Sequence, residues 1–342
     1  MFQPNYHISP QLLDSIKRIA VLVYDLNRRR VSDIVYAELL SEAMITSTYA
    51  STSIEGNSLP LTEVKRLLKS QPTHVRQSER EVLNYNETLK RLNETPDAPF
   101  TTGQILSIHQ GVVDGLLPAE HSGQWRQAPV VIHDPHSGNV VYLPPDHQDV
   151  PALMADLVRF VQAQIGQLDP LILAGIFHKQ FVVIHPFVDG NGRTARLATK
   201  QLLAGLGLNL FQLLSFENYY NQNVTRYFQE VGVQGNYYDL VGSLDFTPWL
   251  EYFAEGILDE LHRLDKQLVT RQRRPDQVLK PHHQIILDLI DAQGYVTDRE
   301  YAEHTTRAKA TRSLDFRTLV EMEIIERKGR GRSTYYQRKT GG

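Results

Sequence analysis

Residues 185–196 read His-Pro-Phe-Val-Asp-Gly-Asn-Gly-Arg-Thr-Ala-Arg, and this short run holds residue types able to handle a phosphate and a proton side by side. His185, with an ordinary pKa of about 6.5, is suited to take a proton from a hydroxyl at neutral pH. Asp189 is a hard oxygen ligand of the kind that holds Mg2+ beside a phosphate. Gly190, Asn191 and Gly192 can reach backbone angles closed to bulkier residues, so that successive N–H groups converge on an anion. A helix starting behind them adds the partial positive charge of its N-terminus. Arg193 and Arg196, three apart, then share a face and reach the same anion. Any one piece also fits an ordinary glycine-rich turn with solvated charges. Together, within twelve residues, they point to a phosphate-handling site, with Phe187 as a core anchor for the loop.

Two helices must hold such a loop, and the sequence supplies an apolar run, Leu171 to Ile184, ahead of it and a helix-like run, 193–206, behind it. Apolar residues recur at helical spacing upstream, at Leu12, Ile16, Ile19, Leu22, Val23 and Leu26, then at Ile34, Leu39, Leu40 and Met44. The β-rich runs Val130 to Ile132 and Val140 to Leu143 flank a turn-forming stretch, His133 to Asn139, and predict a hairpin. Helical periodicity resumes at Val150 and continues to about Leu264, so the chain is expected to be mainly α. His133 and His136 have metal-like spacing but no further ligand nearby, and read as solvated. His178, on the apolar helix, reads as a core histidine with its hydrogen bonds satisfied.

The run 185–196 matches every fixed position of the pattern HPFx(D/E)GNGRxxR, and the chain thereby resembles the Fic family. That resemblance implies a mostly helical fold with the motif between two central helices, and transfer of AMP from ATP to a Ser, Thr or Tyr hydroxyl of a target protein. It implies His185 as general base and Asp189 as the holder of Mg2+. Gly190, Asn191 and Gly192 would cradle phosphates, and Arg193 and Arg196 would contact the outer ones. Residues 51–56, Ser-Thr-Ser-Ile-Glu-Gly, fit the family's inhibitory pattern (S/T)xxxE(G/N). Ser51 and Glu55 are one helical turn apart and Gly56 can end the helix. By resemblance, Glu55 pairs with Arg196 and excludes the γ-phosphate from its productive position. The hairpin would be a flap that aligns the target segment by strand addition. Tyr227, in a segment resembling the helices that close the family fold, is assigned to the adenine side. The chain departs from the family in having Phe228 where a second Tyr is common, and in a longer segment from Gln229 to Thr247.

From Pro281 the pattern gives three short helices, with Thr297 and Glu300 spaced for a capping box, and then two strands. This resembles a winged helix-turn-helix, with Arg307, Lys309, Arg312 and Arg317 on or before the recognition helix that the resemblance implies. Six Lys/Arg and no acid between Arg327 and Lys339 would suit a phosphate backbone, and a protein-docking role is the alternative.

The 342 residues hold 36 Lys/Arg and 39 Asp/Glu, a net −3, which argues against a wholly basic coat protein or an acidic disordered chain. The balance is a cancellation: residues 271–342 carry +5 and residues 1–270 carry −8. The expected organisation is an N-terminal helical region, 1–95, with the inhibitory motif, a catalytic core, 96–262, a linker, 263–280, and the winged helix, 281–342. Cysteine is absent, which removes disulfides, Cys-ligated metals and thiol nucleophiles. With no secretory pattern and no long apolar run, a cytoplasmic protein without a membrane span is expected. Expected ligands are ATP and Mg2+; expected partners are a hydroxyl-bearing target, the chain itself by self-modification or as a homodimer, and DNA or protein on residues 281–342. Two other readings remain open: a nucleotide-sensing DNA-binding regulator, and Fic-type chemistry with another donor or in the direction of de-AMPylation.

Overall fold

A computed structural model describes residues 2–29, 31–70, 72, 74–134, 138–205, 209–272, 280–322 and 324–339. In chain order the elements are α1 (Pro10–Asn27), α2 (Asp33–Ile54), α3 (Leu61–Lys69), α4 (Gln77–Glu94), α5 (Thr102–Val113), β1 (Ile132–His133), β2 (Val140–Leu143), α6 (Val150–Gln164), α7 (Pro170–Ile184) and α8 (Asn191–Gly205). A 3-10 turn at Asn209–Leu213 leads to α9 (Phe216–Gln222), α10 (Val224–Val231), β3 (Gly235–Asn236), α11 (Tyr237–Leu240) and α12 (Thr247–Gln272). The last elements are α13 (Pro281–Gln293), α14 (Asp298–Glu303), α15 (Lys309–Glu321), β4 (Ile325–Lys328) and β5 (Tyr335–Arg338).

The chain divides into two compact units, one of residues 1–27 and 43–263, the other of residues 28–42 and 264–342. In the first, α7 is mostly apolar and buried along nearly its whole length, polar His178, Lys179 and Gln180 included, as befits a central helix. Asp169 starts it by accepting the Leu171 N–H at 2.9 Å, with Pro170 at the first position, where its missing N–H costs nothing. The equally buried α8 packs on α7, with α4 and α5 against α8 and α6 against α7. The loop between α7 and α8 carries the motif.

The expected hairpin forms with a shorter first strand. Only Ile132 and His133 pair, antiparallel, with β2, across an irregular register, whereas Val130 and Val131 stay outside the ladder. Among the described residues a third strand, β3, joins β2 in parallel through Tyr142 and Leu143 opposite Gly235 and Asn236. Residues 135–137 of the turn, His136 included, lie outside the described residues.

In the second unit, Ile34 from the first turn of α2 is buried with Ile286, Leu287, Ile290, Phe316 and Leu319. That burial draws 28–42 out of the N-terminal region expected from sequence. The expected linker start at 263 falls inside α12, which runs to Gln272, with Arg271 ion-paired to Glu42 at 2.5 Å. Residues 273–279 of that linker lie outside the described residues. Thr297 and Glu300 make the capping box at the start of α14, and β4 and β5 pair antiparallel. Buried Asp315 accepts both arms of the Arg307 fork, at 2.8 and 3.0 Å, and the Tyr301 hydroxyl at 2.9 Å. Arg312 pairs with Asp298, and Arg338 with Asp291 and Asp33. Among the described residues no helix is long and apolar enough to cross a membrane.

Candidate active site

His185 ends α7 in the left-handed region, φ 51, and is the one non-glycine with positive φ among the described residues. Such a conformation costs about 1–3 kcal/mol and persists only where surroundings fix it, which is common at functional sites. Here the fixing group is Arg126, buried, whose Nε donates to the His185 carbonyl at 2.8 Å and whose N–H donates to the Pro186 carbonyl at 2.9 Å. The same guanidinium donates to Pro145, just past β2, at 2.5 Å, so one side chain ties the flap to the motif. The Tyr142 hydroxyl adds a second tie, donating to the Val183 carbonyl on α7 at 2.8 Å. The His185 Nδ1 faces the Val182 carbonyl at 3.4 Å, which leaves Nε2 with the lone pair. Burial pushes the imidazole pKa down to about 4, so the ring is neutral and able to accept a proton at pH 7.

The loop that follows is braced from inside. Asn191 accepts the Phe187 N–H and donates to the Phe187 carbonyl, both at 2.9 Å, so its side chain clamps the loop and does not face outward. Phe187 is buried, stacked face to face on His109 at 3.6 Å and flanked by Trp125 at 5.1 Å. Gly190, at φ +77, has no room for a side chain, since a Cβ would lie 2.9 Å from Val113. Asp189 points outward, its side chain 56% exposed, and accepts Arg193 Nη2 at 2.9 Å through Oδ2. Its Oδ1 has no partner among the described residues. The Arg193 side chain is only 4% exposed, yet its Nε and Nη1 have no hydrogen-bond partner among the described residues. Two buried, unsatisfied cationic donors beside an outward carboxylate suit a phosphate with its Mg2+.

Arg196 is fully buried and differently placed. Its Nε donates to Ser51 Oγ at 2.7 Å, its Nη2 to the Ser51 carbonyl at 2.9 Å and to Glu55 Oε1 at 2.8 Å, and its Nη1 to the Tyr227 hydroxyl at 3.3 Å. Glu55 caps α2, and the chain then turns through Gly56 at φ +90. The Gly56 N–H donates to Ser53 and the Asn57 N–H to Thr52, the Schellman pattern that leaves the Glu55 side chain projecting from the helix end. A Cβ on Gly192 would stand 2.1 Å from Glu55 Oε1, so the carboxylate lies directly over the N-terminal turn of α8. A negative group thus occupies the place where an anion would dock.

Four residues along each helix, α2 and α8 are linked a second time, through a residue of α9. Glu217, fully buried on α9, accepts the Ser47 hydroxyl at 3.2 Å and the Tyr85 hydroxyl at 2.9 Å, and faces Lys200 at 3.4 Å. Ser47 and Ser51 on α2 therefore oppose Lys200 and Arg196 on α8.

Tyr227 lies in the aromatic core, stacked on Tyr220 at 4.6 Å, its hydroxyl between His178 Nε2 and Arg196. The structure brings it to the inner side of Arg196, with 1% of its surface exposed, rather than to an open cleft. His178 is a satisfied core histidine, its Nδ1 3.0 Å from Thr199. His109, Arg126 and Glu217 escape a reading of the sequence: each is a single polar residue on an apolar helix face or in a loop, without local spacing to mark it.

A helical pair holds a braced, glycine-rich loop, with a histidine before it and two arginines behind, in a mostly helical fold. Residues 99–203 match the Fic/DOC family, and the chain carries a Fic domain. The protein named "Protein adenylyltransferase Fic" of Nematostella vectensis is 30% identical over 175 residues, 49% of this chain and 39% of that protein. Its namesake of Drosophila melanogaster is 30% identical over 172 residues, 48% of this chain and 33% of that one. The chain thus spans between a third and two fifths of the length of these curated relatives. Among solved structures, a Fic family protein from Desulfovibrio desulfuricans superposes with a TM-score of 0.66 at 22% identity, covering 100% of this chain and 99% of that one. Fic-1 from C. elegans gives 0.58 at 21% identity, covering 76% and 73%. The fold is the Fic fold.

Proposed function

We propose that the chain is a protein adenylyltransferase that transfers AMP from ATP to a Ser, Thr or Tyr hydroxyl of a protein, restrained by its own Glu55. The observation that carries the reading is the buried Arg193 guanidinium, two donors short of partners, beside the outward carboxylate of Asp189 and one loop away from a neutral His185. The names of the relatives support the choice of AMP as the group transferred.

In this reading His185 Nε2 takes the proton of the target hydroxyl as its oxygen attacks the α-phosphorus. The bond from that phosphorus to the bridging oxygen breaks, and pyrophosphate leaves. Asp189 is the residue that would hold Mg2+, which when bound neutralises charge on the phosphates. The backbone N–H groups at Gly190 to Gly192 and the free donors of Arg193 hold the leaving phosphates. Arg196 joins them only when Glu55 moves away, because its donors are now taken by Ser51, Glu55 and Tyr227. The flap would take a target segment by strand addition on β1, the outer strand in the order β1-β2-β3.

For residues 281–342 the proposed role is a winged-helix docking module. Arg307, Arg312 and Arg338 are held in internal ion pairs, which favours docking over DNA. Addition of duplex DNA at low salt tests this: no mobility shift is expected, and a salt-dependent shift would favour nucleic acid. The enzymatic reading is tested by incubating the Glu55→Gly chain with ATP and measuring intact mass. An added mass of one AMP is expected, on the chain itself or a supplied protein, and no addition would contradict it.

A further inference from the structure

We propose that His109, on α5, is a positioning residue that aims the metal-holding carboxylate of Asp189. The inference rests on the reading of Asp189 as the Mg2+ ligand and deepens it. His109 is fully buried, lies 80 residues before Asp189, and is outside the motif. Its two ring nitrogens have opposite tasks. The Gly123 N–H donates to Nδ1 at 3.0 Å, so Nδ1 must carry the lone pair. Nε2 therefore carries the hydrogen, and it donates to the Asp189 carbonyl at 3.0 Å. The tautomer is fixed by its partners, as for a histidine that orients a metal ligand.

What this bond holds is the peptide between Asp189 and Gly190. The Asp189 side chain is more than half exposed, so packing does not set its direction. Its aim comes from the backbone on either side, with Arg193 on one carboxylate oxygen. On the far side, Gly190 is at φ +77, where a Cβ would stand 2.9 Å from Val113 and 3.4 Å from the His109 ring. On the near side, Phe187 is stacked on the same ring with an interplanar angle of 1°. The ring is thus the floor of the whole turn, contacting Phe187, Asp189 and Gly190 at once. A phenyl ring at this position could keep the stacking and lose only the two hydrogen bonds, and a Gln could restore the donor to Asp189.

The test uses the full chain carrying Glu55→Gly, with and without His109→Phe or His109→Gln. It measures the Mg2+ concentration needed for half-maximal binding of a fluorescent ATP analogue, alongside the thermal unfolding midpoint. His109→Phe is expected to raise the Mg2+ requirement about tenfold, with His109→Gln within about threefold of the parent, since outer-shell partners are commonly worth 10–100-fold in metal affinity. Binding of the analogue without Mg2+ stays the same. If the Phe variant does not fold, His109→Asn, whose amide is too short to reach Asp189, takes its place with the same expectation. A lowered unfolding midpoint with an unchanged Mg2+ requirement would overturn the proposal, as would a Gln variant shifted as far as Phe. Absence of any Mg2+-dependent binding in the parent would overturn it too. AMP transfer by the same chains separates the two readings. Transfer without a Mg2+ shift contradicts the role of His109 alone, and a Mg2+ shift without transfer contradicts the adenylyltransferase reading alone.

Discussion

At the scale of single residues, the account turns on how two arginines one turn apart are treated differently. Among the described residues Arg193 keeps two nitrogens unpaired, whereas every nitrogen of Arg196 has a partner. Burial alone would lower the Arg196 pKa, and the Glu55 carboxylate together with Tyr227 and Tyr85 more than offsets it, so the group stays charged. Glu55→Gly should free one charge-assisted bond of about 1.5–3 kcal/mol, and with it raise affinity for Mg2+ and ATP about tenfold or more in a calorimetric titration. His185→Ala should leave that affinity within about twofold while abolishing transfer, the signature of a group needed only for proton transfer. Because burial holds His185 near 4, its basic form prevails above that pH. The rate of transfer should therefore stay flat from about pH 8 to 6, where a histidine of ordinary pKa would already cost more than half of it at pH 6. A fall of about fourfold across that range, as an ordinary histidine would give, would contradict the buried base. The motif residues were legible because they are contiguous and chemically distinctive. Tyr227 was not, because an aromatic at helical spacing looks the same whether it lines a cleft or, as here, sits beneath an arginine.

At the scale of elements, α2 and α8 are joined at two levels four residues apart, directly at Arg196 and through Glu217 of α9 at Lys200, and only the first contains Glu55. The inner contact, Ser47 on Glu217 opposite Lys200, fixes the helix that presents Glu55. Ser47→Ala removes the share of α2 while leaving Glu217 with Tyr85 and Lys200. It should raise basal transfer a few-fold, by the loss of a bond of about 1 kcal/mol, and add nothing in a Glu55→Gly background. An additive effect in the double variant would contradict a shared latch. Glu217→Gln is a different experiment: it strands Lys200 in the core and should cost about 3–5 kcal/mol in urea unfolding. The central helices could be read from the apolar run Leu171 to Ile184 ahead of the motif and the helix-like run 193–206 behind it. The flap could be read only in part. Val130 and Val131 have strand-forming side chains but no neighbour to pair with, whereas Gly235 and Asn236 pair through position rather than composition.

At the scale of the whole molecule, the mild net charge conceals a division that follows the compact units. The unit of residues 28–42 and 264–342 carries 19 Lys/Arg against 14 Asp/Glu, a net +5, which leaves −8 for the unit holding the site. That split was visible in the sequence; the recruitment of 28–42 was not, since Ile34 lies on the same helix as Glu55 and only tertiary burial separates them. The fold also carries an acid sensitivity. Burial lowers His178 to about 3 and His109 to about 4. Their folded pKa values lie below the unfolded value of about 6.5, so the unfolded state binds more protons as pH falls through 6.5, and stability is lost from there down to the folded values. At pH 5 the protein should be less stable than at pH 7.5, with about 2 kcal/mol of the loss from His178, read as a lower urea midpoint. A midpoint that does not fall would show that these histidines are not held neutral.

The central claim, AMP transfer under the restraint of Glu55, is tested most directly by double labelling. Wild-type and Glu55→Gly chains are incubated with Mg2+ and ATP labelled at either the α- or the γ-phosphate, and label retained on protein is counted. The account predicts α-label on protein, far more with Glu55→Gly than with wild type, and no γ-label. Retention of γ-label, or no label from either nucleotide with the Glu55→Gly chain, would contradict it.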